Sequence, residues 1–273
     1  MTNKILGMGN AVLDILSKTT DGYLLKNKLI KGSMSLVEQT ESDNLLRKIK
    51  SLKKDSGGSV ANTIVGISIL GSTACFCGKV KDDELGNEFA INMEKTGVKF
   101  LCKKASSGLP TARCLVFVTS DGERTMQTFL GASTTLAKED VEEKFFDNIQ
   151  YLLVEGYLWS SKSAIGAIKK AVNISKKNKI KIVFSLSDPG LVKMYRKEIL
   201  EFVLNYVDIL IGNKNEYLEI CSQNDKKTKK LLIENVESII ITAGKNGASV
   251  IEKNKNFKIE AEKINEVLDT TGA

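Results

Sequence analysis

The chain of 273 residues is 42% hydrophobic and 27% charged, which supplies enough apolar mass for a sizeable core and argues against disorder. It contains no histidine, which excludes Ser-His-Asp and Cys-His nucleophile pairs and a His-ligated catalytic zinc. A general base must therefore be Asp, Glu, Lys, Tyr or Cys. The five cysteines are odd in number and lack a CxxC pair, which predicts buried thiols in a reducing, cytoplasmic compartment.

The net charge of +7 raises the question of a nucleic-acid partner. Only four of the 40 cationic residues are arginine and aromatic residues make up 6% of the chain, whereas nucleic-acid-reading modules favour arginine interleaved with aromatics. We therefore expect a solvated, lysine-rich surface and no bound nucleic acid. The longest uncharged window, residues 56–78, is rich in Gly, Ser, Thr and Asn, so we expect a soluble chain with no membrane partner.

Short apolar or β-branched runs alternate with segments of helical period along most of the chain. The predicted strands are residues 5–8, 73–77, 151–154, 180–185, 209–211 and 238–242. The predicted helices are residues 59–70, 82–95, 162–177 and 196–206. This alternation predicts an α/β fold of three layers, in which helices cover both faces of a doubly wound, mostly parallel sheet. No linker marks a boundary, so residues 1–273 are expected to form a single core.

Two stretches depart from this alternation. Residues 29–37, and the pair 113–119 and 124–130 joined by a Ser-Asp-Gly-Glu turn, pattern as hairpin strands. We interpret them as a small antiparallel β-lid, formed by segments near 10–37 and 98–130, that covers a site. An edge extension of the main sheet is the alternative.

A Gly-Met-Gly-Asn run follows the first predicted strand. It is not a dinucleotide-binding fingerprint, because Val12 stands where the third glycine would be and no helix clearly follows. Asn10 and Asp14 lie at the edge where parallel sheets bind ligands, and a carboxylate there can accept two sugar hydroxyl protons. A capping aspartate is the alternative.

A glycine pair precedes the helix predicted at 59–70. Gly57 and Gly58 would let a ligand approach the backbone closely, and Asn62 in the first turn would point toward a ligand at the helix N-terminus. A plain turn with an N-cap is the alternative.

Two motifs follow later strands. Asn213 and Glu216, three residues apart after strand 209–211, suit phosphate oxygens and, through water, Mg²⁺, although exposed Asn/Glu pairs are common. The loop after strand 238–242 has a threonine and two glycines that could contact nucleotide phosphates. A hairpin turn explains its second glycine equally well. These three loop residues are Thr242, Gly244 and Gly247.

The chain ends in Asp-Thr-Thr-Gly-Ala, residues 269–273. Small residues that open a helix form a cradle for an oxyanion or phosphate from their backbone N–H groups. This end is therefore a candidate anion site.

The order of these motifs resembles the ribokinase or PfkB-type carbohydrate kinase family along the whole chain. The Gly-Gly pair with Asn62 looks like the first signature of that family, and Asn213 to Glu216 looks like its N-x-x-E motif. The loop from Thr242 looks like its nucleotide loop, and residues 269–273 look like the opening of its D-T-x-G-A-G-D signature. Within the family, Asn10 with Asp14, and the Glu-Gly-Tyr-Leu run at 155–158, look most like adenosine kinase and its bacterial relatives.

The resemblance implies a ribokinase-like fold and ATP-dependent, Mg²⁺-dependent phosphotransfer to a hydroxyl of a nucleoside or sugar, with a lid that excludes water. It implies substrate contacts from Asn10, Asp14, Gly57, Gly58 and Asn62. It also implies an anion hole at Gly272 and Ala273. It places Arg124 toward the transferred phosphate, and Asn213 and Glu216 toward Mg²⁺ and phosphate. The residues that it places beside ATP are Thr242, Gly244 and Gly247.

The catalytic base of that family would be the final Asp of D-T-x-G-A-G-D, two residues beyond Ala273. We therefore expect turnover by this chain to be impaired, by roughly 10²–10⁴ for the missing base. A split or frameshifted gene with a separately encoded C-terminal fragment, and a decaying remnant, are both open explanations.

Three functions are weighed. The first is a nucleoside or sugar kinase, with adenosine first and other sugars second. The second is a non-catalytic binding module that keeps the same pocket, and the third is a basic nucleic-acid protein with steeply salt-dependent affinity. The oligomeric state, monomer or homodimer, is open because a lid sheet has edges that can pair.

Overall fold

Two sheets organise the part of the chain that the computed structural model describes, residues 4–50, 52–223, 225–253 and 255–263. In chain order the strands are β1 (Lys4–Met8), β2 (Val12–Lys18), β3 (Met34–Leu36), β4 (Lys53–Gly57), β5 (Thr73–Cys77), β6 (Lys99–Phe100), β7 (Ala112–Val118), β8 (Arg124–Phe129), β9 (Tyr151–Glu155), β10 (Lys181–Ser185), β11 (Ile209–Asn213), β12 (Ser238–Thr242), β13 (Ala248–Glu252) and β14 (Lys255–Ile259). The α-helices are α1 (Asp21–Lys26), α2 (Gln39–Leu46), α3 (Ser59–Ile69), α4 (Glu84–Lys95), α5 (Lys162–Lys177), α6 (Pro189–Met194), α7 (Arg196–Tyr206), α8 (Lys214–Ile220) and α9 (Lys226–Asn235).

Within these residues the main sheet has nine strands in the order β14-β13-β12-β11-β10-β9-β1-β5-β6. The strands from β12 to β6 pair in parallel, and β13 and β14 add an antiparallel edge. The chain runs from β1 outward to β6 and then from β9 outward on the other side, so β1 and β9 flank the point where the strand order reverses. The predicted α/β fold with a mostly parallel, doubly wound sheet is confirmed.

The main sheet has a separate hydrophobic core on each face. On one face, Leu6 and Met8 pack with α5 and α7, and Trp159 lies against the rings of Phe184 and Phe202 at centroid distances of 5.2 and 4.8 Å. The other core includes buried residues of α3, α4 and the second sheet. These two cores make the layered arrangement that buries both faces of parallel strands.

The second sheet has the strand order β3-β8-β7-β2-β4. It contains the predicted antiparallel pair β7–β8, but β2–β7 and β3–β8 are parallel, so the sheet is mixed rather than antiparallel. In β2, Leu13 and Ile15 are buried in the core, whereas Val12 and Asp14 lie on the opposite, outer face.

Two elements differ from the sequence prediction. Only Met34–Leu36 of the predicted strand 29–37 is a strand, because Leu29 is buried in the core shared with α3 and Gly32 turns the chain with φ +75°. The polar run Lys53–Gly57 forms β4, which the prediction lacked, because it pairs along its length with β2. Tertiary pairing outweighs weak strand propensity there.

None of the described helices combines the length and apolar character that a transmembrane span needs.

Candidate active site

A cavity of about 600 Å³ opens beside the reversal point of the main sheet and against the outer face of the second sheet. Four residues singled out from the sequence line it: Asn10, Asp14, Gly58 and Asn62. Asn10 follows β1, Asp14 lies in β2, and Asn62 lies in the first turn of α3. Crevices at such reversal points are where open α/β sheets bind ligands.

Glu155, at the end of β9, is a cavity residue to which the sequence analysis assigned no role. Its side chain is 1% exposed, and its carboxylate accepts hydrogen bonds from the backbone N–H of Asn10 at 2.7 Å and of Val60 at 3.0 Å. The second bond caps α3, whose N-cap residue Gly58 has no side chain to do so. Burial raises the pKa of Glu155 to about 7, although these donors favour the charged form.

A sequence signal for Glu155 did exist. It is the single charged residue that ends an otherwise apolar strand, Tyr151–Glu155, at the ligand-binding edge of the sheet. The hydrogen-bond partners of Glu155 lie 145 and 95 positions away, so its role in joining β1 to α3 appears only in three dimensions.

Asp14 is held among charged and polar neighbours on the outer face of the second sheet. It stands directly across from Asp55 on β4 and from Cys114 on β7. Burial, and next the Asp55 carboxylate, raise the pKa of Asp14 to about 7, while the positive charge of Arg124 lowers it. Asp14 lies within β2 and not at a helix N-terminus, so the alternative of a capping aspartate is wrong. It is one of the residues that line the cavity.

The glycine pair allows close packing around these polar groups. A Cβ at Gly57 would lie 2.4 Å from the carboxyl group of Asp14, and a Cβ at Gly58 would lie 2.3 Å from the carbonyl oxygen of Asn10. Gly58 also adopts φ +107°, a conformation that favours glycine. The pair therefore has a packing role in the chain itself, and the approach of a ligand to it stays a prediction.

Asn213 and Glu216 form a capping box at the start of α8. The Asn213 side-chain oxygen accepts from the N–H of Glu216 at 3.0 Å, and the Glu216 carboxylate accepts from the N–H and the side-chain amide of Asn213 at 2.9 and 2.6 Å. Glu216 is 6% exposed whereas Asn213 is exposed, so the alternative of an ordinary exposed pair holds for Asn213 but not for Glu216. Burial, and next the charge of Asp188, raise the pKa of Glu216 against a lowering by the Asn213 N–H.

The Glu216 carboxylate affects the pKa of a residue that lines the cavity. The pKa of Tyr157 is raised to about 12 by burial and then by the carboxylates of Asp188, Glu155 and Glu216, and Tyr157 and Asp188 both line the cavity. The capping box therefore lies next to the cavity, at the carboxyl end of β11.

Thr242, Gly244 and Gly247 lie at the turn that joins β12 to β13. The N–H of Ala243 donates to the Gly247 carbonyl at 2.8 Å, and a Cβ at Gly247 would lie 1.9 Å from the carbonyl of Ile259. The hairpin alternative thus accounts for Gly247. Thr242 is exposed at the same edge of the sheet as Asn213, its register partner, and these loop residues are outside the lining of the 600 Å³ cavity.

Arg124 begins β8 and lies on the same face of this strand as the cavity residues Met126 and Thr128. Its charge lowers the pKa of Asp14, so the two side chains interact electrostatically. The predicted anion hole at Gly272 and Ala273 lies outside the described residues.

The residues present at this site fit a magnesium ion held through water. In the described part of the chain, no group of three acidic, cysteine or histidine side chains is arranged to hold a metal directly. Glu216 offers a buried carboxylate whose oxygens keep further acceptor capacity beyond the two bonds from Asn213. Because Mg²⁺ usually retains several waters, this donor set suits an ion held by water and substrate phosphates.

Comparison with known proteins identifies the family. The chain matches the pfkB family carbohydrate kinase model over residues 30–273. An adenosine kinase structure from Sinorhizobium meliloti superposes with a TM-score of 0.87 and 34% identity, covering 99% of this chain and 83% of that chain. A ribokinase from Dictyostelium discoideum is 27% identical over 254 residues, 81% of this chain and 74% of that protein. A 5-dehydro-2-deoxygluconokinase from Bacillus licheniformis is 27% identical over 244 residues, 85% of this chain and 75% of that protein.

The chain belongs to the PfkB family of carbohydrate kinases. It is a phosphotransferase of the carbohydrate or nucleoside kinase class, and that class implies ATP as the co-substrate. The family resemblance, the fold class and the enzyme class predicted from the sequence are confirmed.

Proposed function

We propose that this chain transfers the γ-phosphoryl group of ATP to a hydroxyl of a nucleoside, with adenosine as the first substrate to test and free sugars as the second. The observation that carries the proposal is the mixed lining of the cavity. It combines the polar residues Asn10, Asp14 and Asn62 with a larger set of apolar side chains. A nucleoside likewise combines a hydroxyl-bearing sugar with a flat, largely apolar base.

The apolar part of the lining is too extensive for a sugar alone. Its side chains come from the second sheet and from the segment around α6, and they are Val12, Met34, Leu36, Met126, Leu130, Leu191, Met194 and Tyr195. A free sugar presents hydroxyls on most of its edges and would leave these groups without apolar partners, whereas a nucleobase would bury them. The similarity to the adenosine kinase of Sinorhizobium meliloti also supports a nucleoside.

Among the polar residues, the Asp14 carboxylate accepts hydrogen bonds from two hydroxyls of the sugar, and Asn10, Asn62 and the backbone at the glycine pair complete the orientation of the sugar. Holding the acceptor hydroxyl in place is a large part of phosphoryl-transfer catalysis, because the reaction depends mostly on positioning and on charge neutralisation.

At the other end of the site, Arg124 faces the transferred phosphate, and the turn with Thr242, Gly244 and Gly247 flanks ATP. Asn213 and Glu216 would hold a magnesium ion through water. When bound, such an ion would supply positive charge that neutralises the phosphate oxygens. The supporting observations are that Asn213, Glu216 and the turn from Thr242 stand at the ends of β11 and β12, at the same edge of the main sheet as Asn10 and Glu155, and that the charge of Arg124 acts on Asp14.

The test is ADP release with ATP and Mg²⁺ against adenosine, ribose and fructose, together with thermal shifts of the same sample. We expect adenosine to raise the melting temperature and to give a kcat/KM at least about tenfold above either sugar, since it alone covers the apolar part of the lining. Equal values for adenosine and ribose would contradict the nucleoside assignment. Stabilisation by adenosine without ADP release would instead favour the binding-module alternative.

The variant Asp14→Asn tests the proposed contact between Asp14 and the sugar hydroxyls. It should lower kcat/KM for adenosine by about 10²-fold, because two charge-assisted hydrogen bonds of about 1.5–3 kcal/mol each are weakened. Asp147→Asn is the matched control, since Asp147 is exposed at the opposite edge of the main sheet, where its carbonyl accepts from Lys4. An unchanged kcat/KM in Asp14→Asn would remove Asp14 from the site.

A cytoplasmic location forms part of the proposal. It is supported by the five cysteines, which are all free and buried, as is usual where thiols are kept reduced.

A further inference from the structure

Two cysteine thiols touch in the core on the α5 face of the main sheet. Cys77 ends β5, and Cys102 follows β6, the neighbouring strand. Their Sγ atoms are 3.0 Å apart, about 1 Å more than the length of an S–S bond. Cys77 is 1% exposed and Cys102 is 6% exposed.

The backbone already has the spacing that a disulfide needs. Strands β5 and β6 pair in parallel register, with Phe76 opposite Phe100, and the N–H of Leu101 donates to the Phe76 carbonyl at 3.0 Å. Continued by one residue, this register places Leu101 opposite Cys77, so Cys102 is offset from Cys77 by one residue. One strand spacing of about 4.8 Å and one residue rise of about 3.3 Å combine to roughly 6 Å, which falls within the Cα separation of about 4.4–6.8 Å found in disulfides. With the Sγ atoms already in contact, side-chain rotation can close the bond.

The other cysteines lie elsewhere. Cys75 is two residues earlier on β5, Cys114 is in the second sheet and accepts a hydrogen bond from Thr128, and Cys221 lies at the end of α8. The contact therefore selects one pair of thiols among five.

We propose that Cys77 and Cys102 are a redox modification site, which hydrogen peroxide converts into a reversible disulfide. The Cys102 sulfur attacks one peroxide oxygen, so an S–O bond forms, the O–O bond breaks and one water leaves with the thiol proton. The Cys77 sulfur then attacks the resulting sulfenic acid, so the S–S bond forms, the S–O bond breaks and a second water leaves. Two thiols are oxidised and one peroxide is reduced to two waters. A small-molecule dithiol reverses the modification.

The order of the two steps follows from access and charge. Cys102 is the more exposed of the pair. The hydrogen bond with Cys102, and next burial, raise the pKa of Cys77 well above its usual range, against a lowering by Lys79. Cys77 is therefore the poorer first nucleophile, and it acts as the resolving thiol once Cys102 is oxidised.

The disulfide would join residues 25 positions apart and enclose α4. Such a closed loop restricts the unfolded chain and raises stability. The carbonyl of Cys77 also accepts from the N–H of Gly9 at 3.2 Å, so the cross-link would lie beside the loop that carries Asn10.

The experiment uses the full folded chain, treated with hydrogen peroxide, denatured, alkylated and digested with trypsin. Cleavage after lysine leaves Cys102 in peptide 100–103 and places both Cys75 and Cys77 in peptide 55–79. We expect these peptides to be disulfide-linked in the wild-type protein and in Cys75→Ser and Cys221→Ser. The link should be absent from Cys77→Ser and Cys102→Ser.

A second measurement is the melting temperature, which should rise by several degrees on oxidation and return after treatment with dithiothreitol. A link that persists in Cys77→Ser, a sulfinic acid at Cys102 without a link, or two reduced thiols at a peroxide concentration that oxidises the denatured chain would each overturn the proposal. Neither measurement depends on kinase activity, so the proposed function is tested separately.

Discussion

The two ends of the candidate active site are built in different ways. At the proposed substrate end, Glu155 joins Asn10 and Val60 through hydrogen bonds that span 145 and 95 positions. At the proposed nucleotide end, Asn213 and Glu216 hydrogen-bond each other within three residues, as a helix cap. The substrate end therefore depends on the whole fold, whereas the nucleotide end is largely local, and substitutions at the two ends should differ in cost.

The largest difference is expected between two glycines of positive φ. Gly58→Ala should lower the free energy of unfolding by about 3 kcal/mol or more, because the new Cβ would meet the Asn10 carbonyl oxygen at 2.3 Å in addition to the backbone strain at φ +107°. Gly244→Ala should cost only about 1 kcal/mol, since φ is +53° and the new Cβ would meet nothing within 4 Å. Urea unfolding of both variants measures the contrast, which equal losses would refute.

Next in size is the removal of the two buried carboxylates. Glu155→Ala should cost about 2–3 kcal/mol at pH 7, because it leaves the N–H groups of Asn10 and Val60 without their acceptor. Glu216→Ala should cost about 1 kcal/mol, the usual value of one helix cap. Denaturant titrations compare the two, and a larger loss in Glu216→Ala would show that the nucleotide end is the more strongly coupled one.

The pH dependence of stability should report the protons that the proposed substrate end holds in the folded state. Asp14 and Glu155 have pKa values of about 7 in the folded chain and about 4 when unfolded, so between these values the folded state holds protons that the unfolded state has released. The free energy of unfolding should therefore fall as pH rises from about 4.5 to 7 and level off above 7. In Glu155→Ala the slope should be shallower by about 1 kcal/mol per pH unit. Identical slopes in variant and wild type would contradict the burial of a protonated Glu155.

The smallest expected effect concerns the neighbour of Asp14. Asp55→Asn removes the carboxylate that, after burial, raises the pKa of Asp14, so that pKa should fall. If the charged form of Asp14 binds the sugar hydroxyls, the midpoint of adenosine affinity between pH 5.5 and 8.5 should move to lower pH. Asp147→Asn should leave it in place. A midpoint that does not move in Asp55→Asn would indicate that another group controls binding.

Much of the fold was predictable because its elements have strong local patterns. The helices at 162–177 and 196–206 and the strands at 73–77 and 238–242 have the predicted bounds, since each carries the period of its own buried face. The sequence predicts no strand at Lys53–Gly57 and a longer strand than the observed Met34–Leu36. Both become strands because of the strands that they pair with, rather than because of their own residues.

Of the candidate site, the sequence by itself determined which residue types stand after which strands: Asn10, the glycine pair with Asn62, the Asn213–Glu216 pair and the loop from Thr242. The resemblance to the family rests on this order of motifs. Only the tertiary structure decided that Asp14 lies on the cavity face of a second sheet, and that Glu155 bridges β1 and α3. It also brought Cys77 and Cys102 into contact. These features arise from pairing and burial between distant segments, which a local pattern of residues does not record.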